Sequence, residues 1–254
     1  MMHRFYVEHP ASAGKTAVLS PEESAHAARV LRLRPGEEIM LLDGQTLWSA
    51  KLEVVNDRAC EARVLSALPS PEPCAKVTLI QGLPKSDKLE WIVQKAVELG
   101  AYRIVPFAAK RSVVKLDQKK AGKKRERWQA IAKGAAEQSK RGIVPQVQDV
   151  MSFQEAMNYA KELDVVLVPY ELQEGMKATE AVISKIEPGQ SVGIFIGPEG
   201  GFDESEIEQA KEAGAIPITL GKRILRTETA GLTTLSILMY HLECREQLDD
   251  KNIR

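Results

Sequence analysis

After residue 73, apolar positions alternate between two rhythms. Short unbroken runs, Val77 to Gln81, Arg103 to Phe107, Val165 to Pro169, Val192 to Ile196 and Ile216 to Leu220, have the length of strands buried on both faces. Between them the apolar spacing lengthens to 3.6. Leu89, Ile92, Val93, Ala96, Val97 and Leu99 form one stripe, opened by Ser86 or Asp87 as a cap and closed by Gly100. A long basic helix around Lys123 to Lys140 turns Trp128, Ile131, Ala132, Ala135 and Ala136 inward. A last helix opens at Thr227 or Glu228 and carries Leu232, Leu235, Leu238 and Met239 on one face. Strands alternating with helices predict an α/β fold with a parallel sheet.

The first seventy residues follow a shorter period. Glu38 to Asp43 ends in an Asp43-Gly44 turn pair, Leu47 to Val55 follows, and Cys60, Ala62 and Val64 alternate with charged residues. These short strands predict a compact barrel or sandwich. Ahead of them Ser20-Pro21-Glu22-Glu23 marks a helix start. Three prolines, Pro69, Pro71 and Pro73, break both regular patterns and mark a linker. The expected domains are therefore 1–72 and 73–254.

Charge alters this picture more than composition does. The formal net charge is zero, yet residues 110–141 hold twelve Lys or Arg against three acids, while residues 151–217 hold four Lys against thirteen acids. The basic stretch suits a polyanion such as RNA, and equally a solvated helix face. No segment approaches the apolar length of a membrane span, and no signal-type run opens the chain, so a cytoplasmic protein is expected. The three cysteines and four histidines show no metal-ligand spacing. No metal is expected, and Cys60, Cys74 and Cys244 read as free buried thiols.

Two strand-to-helix junctions carry the candidate chemistry. In the first, Ile196 leads into Gly197-Pro198-Glu199-Gly200-Gly201, and Asp203 with Glu206 three positions on opens a helix. Three glycines in five residues allow close approach of a ligand to backbone. Neither a Walker loop nor a dinucleotide fingerprint is present, and Pro198 and Glu199 disfavour a phosphate cradle. A neutral or cationic ligand with hydrogen-bond donors fits better. In the second, Leu220-Gly221-Lys222-Arg223-Ile224-Leu225-Arg226 runs into Thr227-Glu228-Thr229-Ala230. Ile224 and Leu225 are suited to wall a planar base, with Arg226 facing an anion or a developing negative charge.

These two phrases resemble the bacterial ribosomal small-subunit RNA N3-methyluridine methyltransferases (RsmE type) of the SPOUT superfamily. The likeness extends to His3 to Val7, His26 to Gly36, Leu83-Pro84-Lys85-Ser86-Asp87-Lys88, Arg111 to Leu116, and Ala136 to Ser139 with Arg141. It departs at Ala27, where relatives often carry His, and at Phe202, where Leu is common. The resemblance implies a PUA-like RNA-binding β-barrel over 1–72, a SPOUT α/β domain with a trefoil knot over 73–254, and a homodimer. It implies S-adenosylmethionine as cofactor, held by Pro169, Tyr170, Ile196, Gly197, Pro198, Gly200, Leu220, Gly221, Ile224, Leu225, Thr229 and Ala230. The implied partner is 16S rRNA of the small ribosomal subunit, met by Arg4, Arg29, Arg32, Lys110, Arg111, Lys115 and Arg141.

The implied reaction is attack of a uridine ring nitrogen on a sulfonium methyl. The uracil imide must first lose its proton, which a nearby cation favours and a carboxylate accepts. Arg226 takes the electrostatic role, with Glu199 or Glu228 as proton acceptor. Ribose 2′-O methylation and a noncatalytic RNA-binding role in ribosome assembly are the alternative readings.

Overall fold

A computed structural model of the chain describes residues 2–7, 9, 11–44, 46–69, 72–73, 75–112, 118–173 and 175–252, with the side chains of 118–119 and 247–252 excepted. It divides into two compact units, Met1–Glu72 with Lys140–Val144, and Pro73–Ser139 with Pro145–Arg254. The five residues 140–144, expected in the second domain, thus pack with the first. Their attachment is polar. The Glu72 carboxylate accepts from the Arg141 guanidinium and from the Gly142 and Ile143 N–H groups, while Arg4 donates to the Lys140 carbonyl.

In the first unit the strands are β1 (His3–Tyr6), β2 (Thr16–Val18), β3 (Glu38–Leu42), β4 (Leu47–Val54) and β5 (Glu61–Leu68). They pair in the order β1-β3-β4-β5-β2, with β1 parallel to β3 and the rest antiparallel. Among the described residues this is an open mixed sheet rather than the closed barrel expected, because no ladder joins β1 to β2. One face is apolar: Phe5, Ile39, Leu41, Ala50, Leu52, Cys60, Ala62 and Val64 form its core. The alternation read at 60–64 is this buried face. Helix α1 (Pro21–Ala25) starts where Ser20 accepts from the Glu23 N–H, and His26–Val30 continues it as one wider π-helical turn that leaves through Arg32 at φ 54°.

The second unit holds β6 (Lys76–Gly82), α2 (Lys88–Glu98), β7 (Arg103–Ala108), α3 (Gln118–Gln138), β8 (Gln146–Val147), β9 (Met151–Ser152) and α4 (Phe153–Ala160). It continues through β10 (Val165–Pro169), α5 (Met176–Ile183), β11 (Ser191–Ile196), α6 (Glu204–Glu212), β12 (Ile216–Ile218) and α7 (Thr227–Asn252). Its seven strands are all parallel, in the order β12-β10-β11-β6-β7-β8, with β9 also on β7. The central strands β6 and β11 are buried almost throughout, as their unbroken apolar runs require.

Helix α2 turns Leu89, Ile92, Val93, Ala96 and Val97 inward, and α3 packs on it with Trp128, Ala132, Ala135 and Ala136 buried. Asp87 is the residue before α2 but makes no capping hydrogen bond; its carboxylate faces Lys124 at 3.7 Å instead. Helix α7 packs on α2, β6 and β11 through Leu235 and Leu238. Cys244, expected to be buried, lies on the solvent side of α7, whereas Cys60 is buried; Cys74 lies outside the described residues. On the opposite face Phe107, Phe195 and Phe202 meet, with ring centroids 4.7 Å apart for Phe107–Phe195 and 5.7 Å for Phe195–Phe202. That cluster pins the end of the glycine loop to the sheet.

Candidate functional site

Strands β12, β10 and β11 are neighbours and parallel, so the loops that follow them emerge side by side at one edge of the sheet. Strand ends and helix N-termini converge there, which is where open α/β sheets hold ligands. A cavity of about 430 Å³ opens between these loops, lined from 169–171, 196–199, 201–202 and 219–227 and by Ala230 and Lys88.

The glycine loop is shaped by contacts on both flanks. A Cβ on Gly82 would lie 2.7 Å from the Pro198 nitrogen and 3.0 Å from the Gly197 carbonyl carbon, so β6 and the loop after β11 touch backbone to backbone. Thr227, the first residue of α7, donates to the Gly197 carbonyl (2.6 Å) and accepts from the buried Gln81 amide (2.8 Å). Beyond the loop, Asp203 and Glu206 form a capping box that starts α6. Glu206 is fully buried yet satisfied, because its second oxygen accepts from the Lys110 N–H. In the second loop, Gly221 adopts φ 105°, a conformation side chains rarely share, where the chain turns out of β12.

Most of the residues singled out in the sequence converge on this cavity. Pro169, Tyr170, Ile196, Gly197, Pro198, Leu220, Gly221, Ile224, Leu225 and Ala230 line it, together with Glu199 and Arg226. Gly200, Thr229 and Glu228 are not part of the lining. Gly200 turns away, its carbonyl accepting from Arg111 at 3.2 Å. Ile224 lines the cavity but is 84% exposed, so it forms a rim rather than an enclosed wall. Phe202, Thr219 and Lys88 also line it and were not singled out. In sequence Phe202 stands out only as a departure from the family's Leu, Thr219 belongs to the run Ile216 to Leu220, and Lys88 carries only the signal of the Leu83–Lys88 phrase.

The charges are unevenly satisfied. Arg226 is exposed at the rim, and no described residue offers its guanidinium an ion-pair or hydrogen-bond partner. Glu199 is fully engaged. It accepts from the Lys85 N–H at 3.0 and 3.2 Å and from the Lys88 ammonium at 3.1 Å. Burial works against its charge, but its own backbone N–H, the Lys85 N–H and Lys88 together hold its carboxyl below the usual glutamate range. Glu228 faces the same ammonium at 3.6 Å, and its buried Oε2 has no hydrogen-bond partner.

A family model described as an RNA methyltransferase domain matches residues 70–239, and one described as an RNA methyltransferase PUA domain matches residues 19–65. The chain is 43% identical over 251 residues to the ribosomal RNA small subunit methyltransferase E of Bacillus subtilis, covering 95% of this chain and 98% of that protein. The chain belongs to the ribosomal RNA small subunit methyltransferase E family. The Neisseria gonorrhoeae member of the family, solved bound to S-adenosyl methionine, superposes with a TM-score of 0.78 at 35% identity, covering 94% of this chain and 98% of that one. The Mycobacterium bovis member is 35% identical over 238 residues, covering 91% of this chain and 88% of that protein.

In this methyltransferase E family member the cations expected to face RNA differ in how far other side chains already engage them. Arg32 is exposed at the exit of the π turn. Lys110 donates to the Ser205 hydroxyl, and Arg111 to Gly200 and Asp203, so both are tied to the glycine loop while remaining largely open to solvent. Arg29 pairs with Asp57, whose carboxyl is held low chiefly by that hydrogen bond. Arg4 is turned onto the 140–141 carbonyls. Arg141 is only 6% exposed and is committed to Glu72, an arrangement that holds the 140–144 segment and leaves little of the side chain for a phosphate. Lys115 lies outside the described residues. Among the described residues no three His, Cys, Asp or Glu side chains cluster as metal ligands, and no helix is long and apolar enough to cross a membrane.

Proposed function

We propose that this protein transfers the methyl group of S-adenosylmethionine to N3 of a specific uridine in 16S rRNA of the small ribosomal subunit. The observation that carries the reading is the cavity at the ends of β10, β11 and β12, which has at its rim an Arg226 that no described residue pairs with, and no phosphate-type glycine–lysine loop. The donor set fits the cofactor. Backbone groups of three loops approach a volume of about 430 Å³, Leu220, Leu225 and Ile196 offer apolar walls, and Glu171 and Glu199 offer negative charge to a sulfonium.

When bound, the cofactor supplies an electrophilic methyl carbon. The residues of this chain then do the rest. Ile224 and Leu225 hold the base plane, Gly197 and Gly221 keep the backbone close, and Arg226 supports the negative charge that develops on the uracil carbonyls. Glu199 lines the cavity but is engaged by two donors and held in its weakly basic, ionised form, and Glu228 lies outside the lining with its Oε2 buried beside Lys88, so the imide proton leaves to solvent rather than directly to either carboxylate. The family resemblance adds a trefoil-knotted SPOUT domain, a homodimer, a cytoplasmic location and no metal to the same proposal. Gly200 and Thr229 act as supports of the cofactor loops within it.

Mass spectrometry of nucleosides from small subunits incubated with the enzyme and S-adenosylmethionine tests the reading. N3-methyluridine is the expected product; a 2′-O-methylated nucleoside or no methylation overturns it. In the Arg226→Ala variant, transfer is expected to fall about 100-fold or more while cofactor affinity stays within a few-fold.

A further inference from the structure

The phrase Leu83 to Lys88 delivers one charged side chain, that of Lys88, to the cavity. Lys88 is the first residue of α2, and its backbone position is fixed from several sides. Gly82 abuts Pro198, Ser86 sits in the left-handed region at φ 58°, and the Lys85 N–H is held by both oxygens of Glu199. A non-glycine residue held at positive φ marks a segment whose conformation the surrounding contacts impose.

The ammonium lies between two carboxylates, 3.1 Å from Glu199 and 3.6 Å from Glu228. Glu199 makes the hydrogen bond to it, leaving Glu228 Oε2 beside it without a donor. The ammonium thus lines the cavity as a donor, while Glu228 stands outside the lining and helps to hold it in place. A uracil imide presents a carbonyl oxygen on each side of N3, and its anion spreads charge onto both. The other charged groups lining the cavity are Glu171, Lys222, Arg223 and Arg226, and none of these pairs with Glu228.

We propose that Lys88, held by Glu199 and Glu228, is a catalytic residue that donates to a carbonyl of the uracil imide. The inference rests on the uridine-N3 reading above. The ammonium donates to a carbonyl oxygen adjacent to N3, and the N3 proton passes to solvent water before attack. The N3 electron pair forms the bond to the methyl carbon as the carbon–sulfur bond breaks, its electrons remaining on sulfur. Charge delocalised onto the carbonyl oxygen meets Lys88, which lowers the apparent pKa of the imide in the bound state.

The test is single-turnover methylation of small subunits at saturating S-adenosylmethionine from pH 6 to 9, with cofactor affinity measured separately by calorimetry. In Lys88→Met, affinity should stay within about threefold while the rate falls about 100-fold, and the rising limb of the pH–rate profile should move up by about one unit. Lys88→Arg should recover the wild-type limb and at least about tenfold of the lost rate. A rate within about threefold of wild type, or a slower rate on an unmoved limb, overturns the proposal. Should Lys88→Met fail to fold, Lys88→Gln is read by the same criteria. Wild-type enzyme that makes no N3-methyluridine fails the underlying reading itself, whereas a normal product with an indifferent Lys88 fails only this one.

Discussion

Two arginines of the same expected surface role, Arg141 and Arg111, show how burial decides what a charge does. Arg111 keeps half its side chain in solvent and its ion pair with Asp203 spans 3.5 Å, so a phosphate can compete for it at small loss. Arg141 and Glu72 are 7% and 15% exposed, and Glu72 also holds two backbone N–H groups. Removing one partner of such a pair strands a buried charge. Glu72→Ala should therefore lower stability by about 3 kcal/mol or more in denaturant unfolding, with the loss confined to the transition of the first unit. Glu199 gives a pH signature of known sign. Its folded pKa is depressed, so the stability it contributes is fully present above the ordinary glutamate range and disappears as pH falls through the folded value. Urea midpoints of wild type and Glu199→Gln should differ by a constant amount from pH 7 to 5 and converge below about pH 4. A gap that persists at acid pH would show that Glu199 does not act through its charge.

At the scale of elements, the site depends on how closely β6 approaches the loop after β11. Gly82→Ala places a methyl against the Pro198 nitrogen and the Gly197 carbonyl carbon, which are backbone atoms that cannot rotate away. The two segments must separate. We expect about 1–3 kcal/mol of destabilisation and weaker S-adenosylmethionine binding, read by urea unfolding and calorimetry on the same variant. Sequence made the junctions legible because glycine, proline and a capping pair at Asp203 and Glu206 are local signals, and because the strands feeding them are unbroken apolar runs. It missed α4, although Ser152 and Glu155 form a full capping box, because eight residues give the helical period little room to declare itself. It missed α5 for the same reason, and because Gly175 precedes that helix without a side-chain cap. Lys88 was invisible for another cause. Its importance comes from Glu199 and Glu228, more than a hundred residues away in the chain, and no local pattern encodes such a meeting.

Across the whole molecule, a net charge of zero coexists with a cationic stretch at 110–141 and an acidic one at 151–217, so affinity for RNA should follow the local charge rather than the total. Much of the basic stretch is internally paired: Lys124 faces Asp87, Arg125 faces Asp149 and Arg127 faces Glu90. Each such pair reduces the counterions released when a phosphate arrives. Arg32 in the first unit and Lys123 in the second are exposed with no ion-pair partner among the described residues, while Lys110 and Arg111 are exposed but share Asp203 at 3.8 and 3.5 Å. If roughly four phosphates are neutralised on single-stranded RNA, log K should fall against log salt with a slope near −3. Arg32→Ala and Lys123→Ala should each flatten that slope by about 0.7 and leave S-adenosylmethionine affinity unchanged, since neither residue lines the cavity. Arg127→Ala, which removes a cation already facing Glu90, should flatten it less. A slope near zero in the wild type removes phosphate contact from the mechanism, and a slope that responds to Lys123 but not to Arg32 assigns the RNA backbone to the methyltransferase unit alone.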